Sequence, residues 1–216
     1  MPYQPFRESA SIFSWNAFTR LSIFVLIAYA FSLQTQLRRA LECEKLRADT
    51  DSLTGLLNTR AFRQRVEEEM IRAQRYKHPL SLAYIDLDNF KWINDTQGHA
   101  RGDELLQKIS ETILNNIRKI DIAGRIGGDE FSICLPETDD EQVCKVIDKL
   151  VKALDTMTSQ SGWQVTASIG VVTCTEICET YDELLGKADK LMYTAKGKGK
   201  NSAEFETIIT GKNKNR

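Results

Sequence analysis

The first fifty residues carry an apolar pattern that differs from the rest of the chain. Residues 21–37 contain no charged side chain, and residues 21–33 are apolar at nearly every position. An apolar run of about 20 residues is typical of a transmembrane helix. We therefore expect residues 1–33 to form an N-terminal apolar, membrane-spanning segment, although a buried or dimer-forming helix would give the same pattern. The positive-inside rule predicts the inner (cytoplasmic) membrane, with the rest of the chain in the cytoplasm, because basic residues follow at Arg38, Arg39, Lys45 and Arg47.

After a charged helical linker at 34–50, helical and strand patterns alternate. Four segments have the spacing of amphipathic helices: 59–76, 101–118, 139–157 and 181–197. The apolar, β-branched composition of strands occurs at 80–88, 121–126, 131–135, 163–174 and 204–209. This order predicts a two-layer α+β domain over residues 51–209, with a central, mostly antiparallel sheet that includes one hairpin. Residues 210–216 are expected to form a frayed tail.

The charge balance limits the possible partners. The chain has 29 basic and 30 acidic side chains, a formal net charge of −1. This excludes a broadly basic protein that binds nucleic acid, so any phosphate binding must be local.

Acidic residues cluster at two predicted strand ends. The predicted hairpin turns at Gly127-Gly128-Asp129-Glu130, where two glycines would permit positive φ and a close approach to a ligand. Asp86 ends the predicted strand at 80–88. If the two elements are neighbours, Asp86, the Leu87 carbonyl and Asp129 meet at one end of the sheet and suit Mg²⁺. An ordinary turn with solvated acids is the alternative.

Two further polar segments could bind a nucleotide. The stretch 88–103 is predicted as a polar loop that opens a helix; its Asn94 and Asp103 could pair with a guanine edge, although Asp103 could also cap the helix. His99 in this loop is expected to serve packing rather than to bind a ligand. Lys196 and Lys200 could bind phosphate, or could only stabilise the end of a helix.

Together these segments resemble the GGDEF-domain diguanylate cyclases, which condense two GTP molecules into cyclic di-GMP. The matching motifs cover about two-thirds of the chain, in order: Asp51-Ser52-Leu53-Thr54-Gly55-Leu56-Leu57-Asn58, Asp86-Leu87-Asp88-Asn89-Phe90-Lys91, Asn94-Asp95, Gly98-His99 with Gly102-Asp103, Arg125 to Phe131, and Met192-Tyr193 with Ala195-Lys196. The chain has Thr59 where the family often has arginine, and Lys200 where arginine is also common. Lysine keeps the charge but loses the bidentate geometry of arginine.

The resemblance implies a ferredoxin-like, palm-type nucleotidyl cyclase fold and a set of roles. It implies that Asp129 and Glu130 are catalytic, with the proton acceptor left open between them, and that Asp86, Leu87 and Asp129 bind Mg²⁺ or Mn²⁺. It implies that the substrate GTP is bound by these residues: Asn94, His99, Asp103, Gly128, Arg125, Lys196 and Lys200.

The resemblance also implies a regulatory site and an assembly. Arg118 and Asp121 match the Arg-x-x-Asp site through which many of these enzymes bind their own product as an inhibitor, although a surface ion pair would have the same sequence. Because the reaction joins two GTP molecules, a homodimer is expected. The alternatives are a catalytically silent GGDEF module that binds GTP or cyclic di-GMP, and an interaction domain that binds no nucleotide.

Overall fold

The computed structural model of the chain describes residues 6–175 and 180–208. The predicted tail at 210–216 and the last residue of the predicted strand at 204–209 lie outside these ranges. The chain divides into two compact units, Met1–Ala48 and Asp49–Arg216.

The N-terminal unit consists of one long helix. Helix α1 (Phe6–Asp49) is 44 residues long and is continuous over residues 6–33 of the predicted apolar segment and residues 34–49 of the predicted linker. Residues 1–5 of the predicted segment lie outside the described residues. Its Phe18–Arg38 segment is long and apolar enough to cross a membrane, by length and composition alone. The large side chains of this segment that the structure describes, such as Phe24 and Phe31, are exposed.

In its described residues, the second unit contains five helices and six strands. The helices are α2 (Thr59–Tyr76), α3 (Phe90–Gln97), α4 (His99–Asn116), α5 (Asp140–Gln160) and α6 (Tyr181–Gly197). The strands are β1 (Leu57–Asn58), β2 (Leu80–Asp88), β3 (Ile122–Arg125), β4 (Glu130–Pro136), β5 (Thr166–Cys174) and β6 (Ala203–Ile208). Side-chain caps define several helix starts, because α5 and α6 both begin with a capping box, at Asp139 and Thr180.

One predicted loop is helical. The polar stretch at 88–103 forms α3 and the start of α4, joined at Gly98, whose φ of 87° requires glycine. The prediction failed because α3 is short and buries only Ile93 among its eight residues, so its apolar period is not visible in the sequence. The two-residue strand β1 was also not predicted.

The strands form a single sheet in the order β1-β3-β4-β2-β5-β6. Strand β2 lies at its centre, antiparallel to both β4 and β5, and β3 is antiparallel to β4. The outer strands β1 and β6 pair in parallel with β3 and β5. The predicted α+β class with a mostly antiparallel sheet is therefore confirmed.

Helices cover both faces of this sheet, so the domain has three layers rather than the predicted two. Along β2, Ala83, Ile85 and Leu87 pack in the core with α3, α4 and α5. The alternate residues Leu80, Leu82 and Tyr84 pack with α2 and α6. Strand β2 is buried along its whole length, which explains why its sequence is a continuous apolar run rather than an alternating one.

A close contact sets the position of α6. A Cβ atom at Gly170 in β5 would lie only 1.9 Å from the Ala188 carbonyl oxygen and 2.3 Å from the Met192 nitrogen. Glycine therefore lets the backbone of α6 pack directly on the sheet. This packing brings the C-terminal end of α6, which carries Lys196, next to the C-terminal end of β2.

Candidate active site

The acidic residues of β2 and of the hairpin converge at one end of the sheet. In the β2–β4 register, Asp86 pairs with Glu130. One residue further, the Leu87 amide donates a hydrogen bond of 3.2 Å to the Asp129 carbonyl oxygen. The structure therefore brings together Asp86, Leu87, Asp129 and Glu130, as the sequence predicted from their places at the strand ends.

The hairpin glycines act differently from the prediction. Neither Gly127 nor Gly128 has a positive φ. At Gly127 a Cβ atom would lie 2.2 Å from Oε2 of Glu130, so a larger residue there would displace the end of the Glu130 side chain. At Gly128 a Cβ atom would meet no heavy atom of the described residues within 4 Å, so this edge of the turn is open to a ligand.

Arg125 supports the hairpin turn through hydrogen bonds to its backbone. Its Nη2 donates to the Gly128 carbonyl oxygen at 2.7 Å, and its Nε donates to the Gly127 carbonyl oxygen at 3.2 Å. Its Nη1 donates to Oδ1 of Asp51 at 3.1 Å. The guanidinium therefore connects the turn to the loop that precedes β1.

The negative charge of Asp51 is stabilised by several hydrogen-bond donors in that loop. The amide and hydroxyl of Thr54 both donate to its Oδ1, at 2.9 and 2.6 Å. Burial by itself would raise the pKa of Asp51, but the hydrogen bonds from Thr54 and Arg125 outweigh burial and lower it.

Asp86 is less well compensated. Its Oδ1 lies 2.6 Å from Nζ of Lys196, in an ion pair whose side chains are 11 % and 32 % exposed respectively. This contact lacks good hydrogen-bond geometry, and that buried oxygen accepts no hydrogen bond from the described residues. Burial raises the pKa of Asp86, although Lys196 acts in the opposite direction, and the charges of Asp129 and Asp88 raise it further.

Glu130 lies next to a tyrosine that sequence reasoning missed. Burial raises the pKa of Glu130, and a hydrogen bond from the Tyr84 hydroxyl opposes this rise. The charges of Asp86 and Asp129 add to it, as does the charge of Asp189 in α6. Tyr84 lies inside the predicted strand at 80–88, for which the sequence predicts no functional side chain before Asp86. Tyr84 lies two residues before Asp86 in β2. This spacing could have indicated that Tyr84 lies near the site, because side chains two residues apart in a strand lie on the same face of the sheet.

The residues after Asp86 form a buried polar corner. Asp88 is 2 % exposed and accepts hydrogen bonds from the hydroxyls of Thr166 and Ser168 in β5. It also accepts one from the Asn201 amide. Its neighbour Asn89 accepts a hydrogen bond of 3.0 Å from Nζ of Lys200. None of these contacts of Asp88 was predicted.

The predicted guanine-binding residues lie along the junction of α3 and α4. The side chain of Asn94 covers Gly102, where a Cβ atom would lie 2.0 Å from Asn94 Oδ1. Helix α4 starts at His99 with Gly98 as its N-cap, so Asp103 is not the cap of this helix. His99 and Asp103 are both exposed. The packing role expected for His99 is therefore not observed.

Arg118 and Asp121 bind each other, and Nη2 of Arg118 also donates to the Pro136 carbonyl oxygen at 2.9 Å and to Thr138 Oγ1 at 2.7 Å. Nε and Nη2 of Arg118 donate to Oδ1 of Asp121 at 3.1 and 2.8 Å, and the Arg118 amide donates to Oδ2 at 2.6 Å. The Asp121 side chain is 1 % exposed, whereas that of Arg118 is 49 % exposed. A groove of about 470 Å³ lies beside Asp121, lined by residues that include Arg65, Arg72 and Lys119.

The donor set at the end of β2 fits a hard divalent cation. The described residues contain no group of three or more His, Cys, Asp or Glu side chains that could hold a metal ion. The predicted set needs only two carboxylates and the Leu87 carbonyl, which are all oxygen donors of the kind that Mg²⁺ prefers. The buried Asp86 Oδ1, whose partner among the described residues is Nζ of Lys196 at 2.6 Å, adds an oxygen that a divalent cation could share.

Known proteins of one family are similar to this chain in sequence. The family model for the diguanylate cyclase GGDEF domain matches residues 48–202. The diguanylate cyclase DgcS of Shewanella oneidensis is 36 % identical over 156 residues, which are 72 % of this chain and 52 % of DgcS. The probable diguanylate cyclase DgcC of Escherichia coli K12 is 31 % identical over 201 residues, which are 91 % of this chain and 54 % of DgcC. The chain thus spans about half the length of these two curated relatives.

Solved structures give the same result. The diguanylate cyclase SiaD of Pseudomonas aeruginosa, crystallised with its activator SiaC, is 33 % identical, with a TM-score of 0.72. The match covers 93 % of this chain and 78 % of that one. The family model covers more than half of the chain, and its motifs lie where the structure brings the acidic residues together. The chain belongs to the GGDEF-domain diguanylate cyclase family.

Proposed function

We propose that the chain is a diguanylate cyclase, which condenses two GTP molecules into cyclic di-GMP and releases two pyrophosphates. The observation that carries the proposal is the meeting of Asp86, Asp129 and Glu130 with Lys196 at one end of the central sheet. Relatives named diguanylate cyclases at 31–36 % identity support it.

The reaction places three demands on the site. The 3′-hydroxyl of one GTP attacks the α-phosphorus of the other, an O–P bond forms, and the bond to the pyrophosphate oxygen breaks. The site must hold the triphosphate, offset its charge and accept the hydroxyl proton. Asp129 or Glu130 would accept the proton, and the raised pKa of Glu130 suits that carboxylate to the task.

The charge of the triphosphate requires cations. Lys196 and Lys200 both reach the end of β2, through Asp86 and Asn89, and would bind phosphate oxygens there. Asp86, the Leu87 carbonyl and Asp129 would hold Mg²⁺ or Mn²⁺, which when bound withdraws negative charge from the phosphates. GGDEF diguanylate cyclases generally depend on a divalent metal.

Guanine recognition is proposed for Asn94 and Asp103, with His99 and Gly128 near the nucleotide. The exposure of His99, Asp103 and Gly128 is consistent with contact to a ligand. A site that pairs with a base edge discriminates strongly against a base that leaves its polar groups unpaired. We therefore expect Asp103→Ala to reduce the preference for GTP over ATP, and an unchanged preference would contradict this role.

Product inhibition is proposed at Arg118 and Asp121. Solved GGDEF structures include the domain of DgcB from Caulobacter crescentus in complex with cyclic di-GMP, which is 25 % identical to this chain with a TM-score of 0.66. The half-exposed Arg118 is the accessible member of the pair. The product would compete with Asp121 for its guanidinium, because a guanidinium binds phosphate oxygens well.

A membrane-anchored homodimer is proposed for the full chain. Each chain has one candidate site for GTP, whereas the product is made from two GTP molecules. Two copies of the chain would therefore face each other across a two-fold axis, each holding one GTP. The apolar Phe18–Arg38 segment would anchor the chain and raise the local concentration of the second copy. Dilution of the full chain in lipid should leave specific activity nearly constant. A steep loss on dilution would contradict stable pairing.

The direct test is to incubate the purified full chain with GTP and either Mg²⁺ or Mn²⁺. Formation of cyclic di-GMP and pyrophosphate, abolished by a chelator, is the expected result. Binding of GTP without any product, under conditions where a known diguanylate cyclase is active, would instead indicate a catalytically silent module.

A further inference from the structure

Asp88 is a buried carboxylate that the proposed reaction does not use. A buried charge is costly unless its oxygens are hydrogen-bonded, and Asp88 receives three hydrogen bonds. Ser168 Oγ donates to Oδ1 at 2.8 Å, and Thr166 Oγ1 donates to Oδ2 at 2.7 Å. The third donor is the backbone amide of Asn201, 3.2 Å from Oδ2. Asp88 therefore joins the end of β2 both to β5 and to the loop that follows α6.

That loop has an unusual backbone. Gly199, Lys200 and Asn201 have φ values of 126°, 65° and 46° in succession. Two of them are not glycine. A positive φ is uncommon for such residues, above all for a lysine, so contacts that hold the loop in this conformation are informative. Asn89, which follows Asp88, also has a positive φ, of 64°.

The contacts of Asp88 and Asn89 hold this loop together with the backbone hydrogen bond of 3.2 Å from the Lys200 amide to the Ala195 carbonyl oxygen. Asp88 fixes the amide of Asn201, and Asn89 accepts the hydrogen bond from Lys200 Nζ. The loop follows directly on the helix end that carries Lys196. Both lysines proposed to bind phosphate are thus attached to one short segment, which is held against β2 by the carboxylate of Asp88.

We infer that Asp88 is a positioning residue for phosphate binding. Its carboxylate holds the loop from Gly199 to Asn201 in its left-handed conformation, so that Lys196 and Lys200 both face the acidic end of β2. The partner of Lys200 is a neutral amide oxygen, which a triphosphate replaces with a stronger, charge-assisted hydrogen bond. This inference rests on the proposed function, because it gives the two lysines a triphosphate to bind.

A simple structural link between β2 and β5 is the competing explanation, and the chain offers a matched control for it. Ser81 is fully buried, and its Oγ donates to the Thr138 carbonyl oxygen and lies 2.8 Å from Thr173 Oγ1. It therefore joins the same two strands at their other ends, far along the strand from Asp88. Ser81→Ala removes a buried polar link of this sheet without touching the lysine loop.

The test compares Asp88→Asn with Ser81→Ala in the full chain. With Mg²⁺ present, calorimetry measures binding of GMP and of a GTP analogue that has a methylene group between its α and β phosphorus atoms. Asp88→Asn should weaken the analogue roughly ten-fold, as for a lost hydrogen bond to a charged group, and weaken GMP less than about two-fold. Ser81→Ala should leave the ratio of the two affinities unchanged.

Hydrogen exchange gives a readout that does not depend on a nucleotide. The Asn201 amide should exchange faster in Asp88→Asn and at the normal rate in Ser81→Ala. Lys200→Met combined with Asp88→Asn should lower analogue affinity by less than the product of the single effects, because both act on one segment. If Asp88→Asn does not fold, Thr166→Val removes one donor to the same carboxylate and should show the same pattern with a smaller effect.

Two results would overturn the inference alone: an equal loss of GMP and analogue binding in Asp88→Asn, or normal binding of both. An unaltered chain that binds neither nucleotide would instead refute the proposed function, and the inference with it.

Discussion

Two aspartate–cation pairs flank the hairpin turn, and they differ in how well the carboxylate is satisfied. Asp51 pairs with Arg125 and also accepts hydrogen bonds from the amide and hydroxyl of Thr54. Asp86 pairs with Lys196, but its Oδ1 accepts no hydrogen bond from the described residues. Burial acts to raise the pKa of both carboxylates. At Asp51 the hydrogen bonds from Thr54 and Arg125 outweigh burial and lower the pKa, whereas at Asp86 burial prevails over Lys196 and raises it.

The difference separates a structural carboxylate from one that is available for chemistry. Asp51 loses stabilising hydrogen bonds if a ligand displaces its partners, whereas Asp86 gains by acquiring a cation. Sequence motifs include both residues and do not distinguish them. The hydrogen bonds around each carboxylate do.

The largest expected effect is on turnover by Asp86→Asn. Loss of a carboxylate that would hold the metal should reduce the rate of cyclic di-GMP formation about a thousand-fold, since a bound metal contributes several kcal/mol to the transition state. The free energy of unfolding should not fall, because the substitution removes a buried charge beside Asp129. A steady-state assay and urea unfolding measure the two quantities. Activity within ten-fold of the unaltered chain would contradict the assignment.

A third pair, Arg118–Asp121, extends the comparison, since its carboxylate is saturated but its cation is half exposed. If Arg118 binds product, Arg118→Ala should raise the concentration of cyclic di-GMP that halves the rate by about ten-fold or more. Rates at several product concentrations test this. Lys119→Ala is the control, because it removes a neighbouring positive charge from the same groove. Equal effects of the two variants would indicate general electrostatics rather than a specific site.

Much of this arrangement could be predicted because it is local in sequence. Strand β2 is found at its predicted limits, and Asp86 meets the hairpin since both lie at strand ends. The sequence could not show that Arg125 supports the hairpin turn, because its partner Asp51 is 74 residues away. The sequence also could not show that the Glu130 side chain lies close to Gly127, because a motif does not encode the direction in which a side chain turns.

The next effect is on stability, through the saturated pair. Asp51→Asn weakens charge-assisted hydrogen bonds and should lower the free energy of unfolding by roughly 1–2 kcal/mol, in contrast to Asp86→Asn. Because Arg125 also supports the turn, a moderate loss of turnover should accompany this change. Urea unfolding of both variants measures the difference. Asp182→Asn, which affects an exposed pair with Arg63, is the control and should change stability by less than about 0.5 kcal/mol.

The smallest effect is the pH dependence of stability, for which the two pairs have opposite signs. The raised pKa of Asp86 means that the folded chain holds this proton more tightly than the unfolded chain does. Its contribution is present below the ordinary carboxylate pKa and is lost as the pH rises through the raised value. The lowered pKa of Asp51 gives a contribution that is present above the ordinary pKa and is lost as the pH falls through the lowered value.

Each substitution should therefore remove a different limb of the stability profile. Asp51→Asn should flatten the loss of stability toward acid pH, and Asp86→Asn should flatten the loss as the pH rises above about 4. Each change should be small, since both carboxylates are partly compensated by a cation. Urea unfolding between about pH 3 and pH 7 resolves the two limbs. Variants that shift the whole profile by the same amount at every pH would show that neither carboxylate changes its proton affinity on folding.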